Sequence, residues 1–140
     1  MSVITLWGTT PAPQGSKNPW GGEANKNLAP WREALAAAGV EQMAQDEAEL
    51  IPSGPVGMEV AFFFPRPAAH YGTGKNAGVL KDTAPNHKAS KPDLDKLMRA
   101  IGDALTGVAF RDDSQIAKVE MVKLYGEKPG VSVLVYALAS

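Results

Sequence analysis

Two short segments carry acidic residues framed by bases: Lys91-Pro92-Asp93-Leu94-Asp95-Lys96-Leu97 and Arg111-Asp112-Asp113-Ser114-Gln115. Carboxylate oxygens are hard ligands. Magnesium usually takes one or two of them and completes its shell with water and substrate phosphate. The neighbouring Lys and Arg side chains suit the phosphate. The types and spacing therefore read as a split, metal-binding carboxylate cluster.

Geometry decides whether the two halves can meet. On a regular helix Asp93 and Asp95 would stand roughly 200° apart, so they cannot share a mid-helix face. At a helix start they can converge. Pro92 disfavours helix for Lys91, and Asp93 is a good N-cap type. Leu94, Leu97, Met98, Ile101 and Leu105 recur at helical spacing until Gly107, which predicts a helix over about 94–106. That helix is on the order of 20 Å long, and the stretch from Gly107 to Asp113 spans about 20 Å if extended. Asp113 can thus return to the end that carries Asp93.

The chain has 140 residues, 44% of them hydrophobic, which suits one domain over residues 1–140 with an adequate core. With no cysteine, a disulfide framework and a cysteine-ligated zinc site are both excluded, and any metal must use oxygen or histidine. The longest aromatic-aliphatic run, Val60 to Phe64, is far too short to cross a bilayer, and no charged leader precedes an apolar stretch. A protein without membrane association, in a reducing cytoplasm, is expected. The net charge of −1 argues against a generic basic nucleic-acid binder, but its distribution is uneven. Residues 32–59 sum to −5 and residues 66–99 to +4. The positive block is the one that contains Asp93 and Asp95. A solvated loop accounts for such a block; its adjacency to the carboxylates turns the reading towards phosphate.

The elements that must position these residues follow from periodicity. Val3, Thr5 and Trp7 alternate in a short strand, followed by a Pro-, Gly- and Asn-rich loop over 11–27. Pro30, Trp31, Leu35, Ala38 and Met43 suggest an amphipathic helix to about Glu49, with Gly39 a weak point. Val56 to Phe64 alternates as a strand ended by Pro65-Arg66-Pro67, and a second long loop runs to Ser90. After the 94–106 helix, residues 115–125 and 131–138 read as strands joined by Gly126-Glu127-Lys128-Pro129-Gly130, expected as a hairpin. The phase slips near Met121-Val122, through a bulge or an imperfect periodicity. The order β-α-β-α-β-β predicts an α+β fold, a mixed sheet with helices packed against it.

Each candidate has an ordinary structural reading. Gly72-Thr73-Gly74-Lys75 lacks the Gly and the Ser/Thr of a P-loop, with Ala69 and Asn76 in those places. A glycine turn bearing Lys75 remains. The Asp-x-Asp pair opens like a calcium loop, but Leu97 and Met98 stand where the third ligand and the Gly belong. His70 and His87 lack zinc spacing and read as surface residues, with a general base in a histidine-dependent nuclease as the alternative. Asp95, Arg99 and Asp103 fall on one helix face and would serve as exposed ion pairs. Asp93 and Asp112 suit a cap and a turn. It is their combination with Asp95, Asp113 and the basic loop that points to function.

At these residues the chain resembles the RusA family of Holliday-junction resolvases of bacteria and their phages. The resemblance rests on Lys-Pro-Asp-x-Asp followed by Asp-Asp-Ser-Gln, and extends over the N-terminal strand and loop, the helix, the aromatic strand, Lys91 to Leu105, Phe110 to Gln115 and Lys123. It implies a homodimer that uses Mg²⁺, with Mn²⁺ as a substitute, to nick a four-way DNA junction symmetrically in recombination and repair, inside a bacterial or phage-infected cell. It further implies Asp93, Asp95 and Asp113 as metal ligands and Asp103 as a further acidic position, to which Asp112 is a candidate addition; by their charge, Lys75, Lys81, Lys88, Lys91 and Lys123 are expected as DNA contacts. The family's helix lysine falls at Arg99, and Lys96 stands where Asn is common. Either cation is a candidate for steadying the transition state, although Arg is a far poorer proton donor than Lys. Two readings compete with the nuclease: a non-catalytic junction-binding module, and a metal-binding structural protein.

Overall fold

The computed structural model describes residues 1–15 and 26–139. Most of the loop expected over 11–27 lies outside the described residues. The elements are β1 (Ser2–Trp7), α1 (Leu28–Gln45), β2 (Val56–Pro65), α2 (Leu94–Leu105), β3 (Ile116–Gly126) and β4 (Gly130–Ala137). The strands form a four-stranded sheet in the order β1-β4-β2-β3. β4 runs antiparallel to both neighbours, and β2 runs parallel to β3. The fold is α+β with a mixed sheet, as the periodicity predicts.

The expected hairpin between β3 and β4 is corrected by this order, because β2 lies between them. Neighbouring strands sit about 4.8 Å apart, so a connection across one intervening strand must span about twice that distance. The segment from Gly126 to Gly130 is long enough to do so.

Period-two alternation puts Val56, Met58, Val60, Phe62 and Phe64 on the face covered by the helices, together with Ile4, Val131, Val133 and Val135. α1 contributes Leu28, Trp31, Leu35 and Met43, and α2 contributes Leu97, Ile101 and Leu105. Among the described residues the opposite face carries no helix, and Val3 is 48% and Trp7 49% exposed. There Trp7 lies over Gly130, and a Cβ at Gly130 would meet the Trp7 ring and come within 2.6 Å of the Leu6 carbonyl. Gly130→Ala is therefore expected to part β1 from β4 and cost about 1–3 kcal/mol, read from the urea midpoint.

α1 ends at Gln45, earlier than the Glu49 expected. Glu47 takes a left-handed φ of 52°, and its N–H reaches Ala44 O while that of Ala48 reaches Met43 O at 2.9 Å. This double closure is a Schellman stop. Gly39 is buried where α1 meets Leu105 and Val108, so the residue that weakens the helix also lets the helices approach closely.

The register of β3 breaks beside Ala117, between the Val56–Ile116 and Gly57–Lys118 pairs, and is continuous through Met121 and Val122. Met121 and Val122 are both half-buried, which accounts for the apparent slip there. His87 bridges to Leu124, and Lys88 N donates to Lys123 O, so the long loop covers the strand's outer edge.

Candidate active site

Asp93 occupies the N-cap position of α2 in extended conformation (φ −75°, ψ 143°), yet its side chain makes no capping hydrogen bond. Its carboxylate is left for other work. The nearest cation is Lys96 Nζ, 3.9 Å from Asp93 Oδ2, an exposed pair of little energetic weight.

The second acidic segment divides its labour differently. Asp112 Oδ1 accepts from Ser114 N at 3.0 Å, while Gln115 Oε1 accepts from both Arg111 N and Asp112 N at 2.9 Å. This is a reciprocal capping box around a single 3₁₀ turn, Asp113–Gln115. The turn reading of Asp112 holds. Gln115 also donates through Nε2 to Ile51 O at 3.2 Å and Gly54 O at 3.1 Å, lashing the turn to the segment before β2. Gln115 was not among the candidate site residues. Its signal is the spacing Asp112-x-x-Gln115. Gln115→Leu should cost about 2 kcal/mol, since four bonds are lost at a partly exposed site, and should lower any cleavage at least tenfold by releasing Asp113; denaturation and cleavage assays read the two effects.

Asp113 faces α2. A Cβ at Gly102 would lie 3.6 Å from Asp113 Cβ and 3.9 Å from its Oδ2; the absent side chain leaves a notch beside the carboxylate. Gly102, Asp95, Arg99, Asp103 and Asp113 all line one cavity of about 460 Å³, with Gln14 at its wall. Asp93 and Lys96 instead line the adjoining groove with Lys26, Lys88 and Lys91. The structure thus brings Asp95, Asp113, Asp103 and Arg99 together and corrects the expected return of Asp113 to the Asp93 end: Asp113 meets α2 at Gly102, in the second half of the helix, while Asp93 and Lys96 line the groove next door. Asp103 is also held by Arg32 of α1, with NH1 3.5 Å from Oδ2.

Carboxylates crowd this cavity. The Asp113 carboxyl is pushed above its usual range, first by sharing a hydrogen bond with Asp112, then by partial burial and by the charges of Asp112 and Asp103. Asp112 is held below its usual range, chiefly by the Ser114 N–H.

The remaining cations separate. Lys75 and Lys81 are exposed on an excursion of the long loop that closes on itself through Gly72 N to Val79 O and Lys81 N to His70 O. Lys88 is half-buried, donates to Ser90 Oγ at 3.0 Å and lies over the Phe64 and Tyr125 rings. Lys123, expected at the DNA, turns inward: its Nζ donates to Ser90 O at 2.6 Å and Pro92 O at 2.8 Å. His70 is half-buried, not at the surface, held by Arg66 and edge-on to Tyr125. Neither His70 nor His87 lines the acidic cavity.

Comparison with known sequences settles the kinship, because the profile described as Endodeoxyribonuclease RusA matches residues 11–136. The chain belongs to the RusA family. It is also 32% identical over 96 residues to "Uncharacterized protein YqaN" of Bacillus subtilis (strain 168), a match covering 65% of this chain. The match spans 63% of that relative's own length.

RusA family nucleases depend on divalent metal, and the donor set here suits such an ion. Asp95 and Asp113 offer hard oxygens across one cavity, and crowding with Asp103 and Asp112 is relieved by a cation. The Gln14 Oε1 at the same cavity is buried without a hydrogen-bond partner among the described residues. No three His, Asp or Glu side chains converge into a closed cage among the described residues. An open site of one or two carboxylates is what magnesium takes, with water and phosphate supplying the rest. No helix among the described residues is long and apolar enough to cross a membrane.

Proposed function

We propose that the protein is a Mg²⁺-dependent endodeoxyribonuclease that resolves four-way DNA junctions by paired, symmetric hydrolysis of phosphodiesters. The observation that carries this reading is the division of labour among the aspartates. Asp112 is spent on capping, whereas Asp93 at the head of α2 and Asp95 and Asp113 on the acidic cavity keep carboxylates available.

Asp95 and Asp113 would hold the cation directly, and Asp93, which lines the adjoining groove, would reach it through a bound water; Mn²⁺ is an acceptable substitute. Such an ion supplies stabilisation of phosphate charge and activation of water. The chain's own residues do the rest. Arg99, on the cavity wall with no ion-pair partner among the described residues, stands ready for the charge that develops on the phosphate. Lys96, beside Asp93 in the basic groove, suits the neighbouring backbone phosphate. Lys26, Lys88 and Lys91 continue that groove, which favours backbone contact over base reading, the mode that suits recognition of a junction by shape. A two-fold junction cut symmetrically calls for two identical sites, hence a homodimer.

The test incubates the purified protein with a labelled four-way junction and with linear duplex, with and without Mg²⁺, and resolves the products on a denaturing gel. Paired nicks confined to the junction and dependent on Mg²⁺ are expected. Tight junction binding without nicks under any divalent metal would replace the enzyme by a binding module. Indifference to both DNAs would remove the nucleic-acid function.

A further inference from the structure

We infer that Lys123 is a positioning residue that sets Asp93, not a DNA contact; the inference rests on the proposed role of Asp93. Lys123 lies on β3 opposite the buried Phe62. Strand neighbours in register share a face, so its side chain leaves the sheet on the helix side. From there one residue grips the approach to α2 at three points. Its carbonyl accepts from Lys88 N at 3.0 Å, and its ammonium donates to the carbonyls of Ser90 and Pro92. Pro92 directly precedes Asp93, whose own carbonyl accepts from Leu97 N at 3.1 Å to begin the helix.

The alternatives explain less. An ammonium has three donors, and two are committed to main-chain oxygens at charge-assisted distances. A cation beside a helix N-terminus is opposed by the helix dipole, so α2 itself gives no reason for a lysine there. Asp93 lacks a side-chain cap to fix it. Without Lys123, the turn Ser90–Pro92 loses both main-chain bonds from the Lys123 ammonium and keeps only the Lys88 bond to the Ser90 hydroxyl, so the carboxylate it delivers loses its reference to the sheet.

The test compares Lys123→Met, which keeps the length and removes the donors, with Lys123→Arg and with Lys91→Met in the exposed groove. Three readouts are taken: divalent-cation affinity by Mn²⁺ titration calorimetry on DNA-free protein, amide exchange over Leu94–Leu97, and the salt dependence of junction binding. For Lys123→Met we expect about tenfold weaker cation binding, as for other residues that orient ligands from behind. Exchange in the first turn of α2 should be faster, and the salt slope that of the wild type. Lys123→Arg should restore part of the affinity. Lys91→Met should do the reverse, lowering the salt slope by about one while leaving cation binding intact. Wild-type cation affinity and exchange with a reduced salt slope in Lys123→Met would make Lys123 a DNA contact and overturn the inference. Should Lys123→Met fail to fold, Lys123→Arg carries the comparison, and unchanged exchange and affinity there would overturn it. If the wild type binds no divalent cation and nicks nothing, the proposed function falls, while the exchange readout still decides whether Lys123 holds the turn.

Discussion

Asp93→Asn should reduce junction cleavage by about 10³-fold or more, the loss expected when a charged group next to a reacting phosphate is removed, while junction binding stays equal or tightens. The two effects have one cause. The carboxylate that favours a cation repels the phosphate backbone when no cation is present, so an isosteric amide relieves repulsion while removing the ligand. Asp113→Asn should behave alike, because its carboxylate lines the acidic cavity with Asp95. Asp112→Asn is the informative contrast. An amide oxygen still accepts from Ser114 N, so the cap persists and cleavage should stay within a few-fold of wild type. Single-turnover cleavage and gel-shift titrations at fixed salt measure both quantities. Equal losses in Asp112→Asn and Asp113→Asn would contradict the separation into cap and ligand.

The largest expected stability effect lies in the link that carries Asp113 back to α2. Phe110 is fully buried, and the chain around it is pinned on both sides. Gly107 N donates to Phe110 O at 2.8 Å, Ile51 N to Ala109 O at 2.9 Å, and Arg111 N to Ile51 O at 3.2 Å. Phe110→Ala leaves a cavity under these bonds and should cost about 3–5 kcal/mol, whereas Phe110→Leu keeps most of the volume and should cost about 1–2 kcal/mol. Urea midpoints read both. Cleavage should follow the same order, since Asp113 is delivered by the segment that Phe110 anchors.

Features with a local code were legible in the sequence. α2 announced itself through Leu94, Leu97, Ile101 and Leu105 between a capping aspartate and Gly107, and β2 through strict alternation, because one face of each is buried. The order of the sheet was not legible in that way. Nothing in residues 126–130 distinguishes a turn between neighbours from a step over β2, since the choice depends on where distant strands find apolar partners. The site shows the same divide. The aspartates were identifiable by type and spacing, and it took the structure to show that the Asp93 side chain makes no capping bond. Lys123 reads in the sequence as a DNA contact, because its charge suits phosphate and its type alone does not show which way the side chain turns. Its inward turn is set by carbonyls more than thirty residues away in the chain.

The placement of β4 between β1 and β2 has a consequence for synthesis. Until residues 130–137 have been made, the N-terminal strand has no partner, and β2 can pair along one edge alone. A growing chain on the ribosome therefore holds every proposed catalytic aspartate before it holds the sheet that aligns them. On the reading advanced above, cleavage requires β4, and a messenger broken before residues 130–137 should yield an inert product.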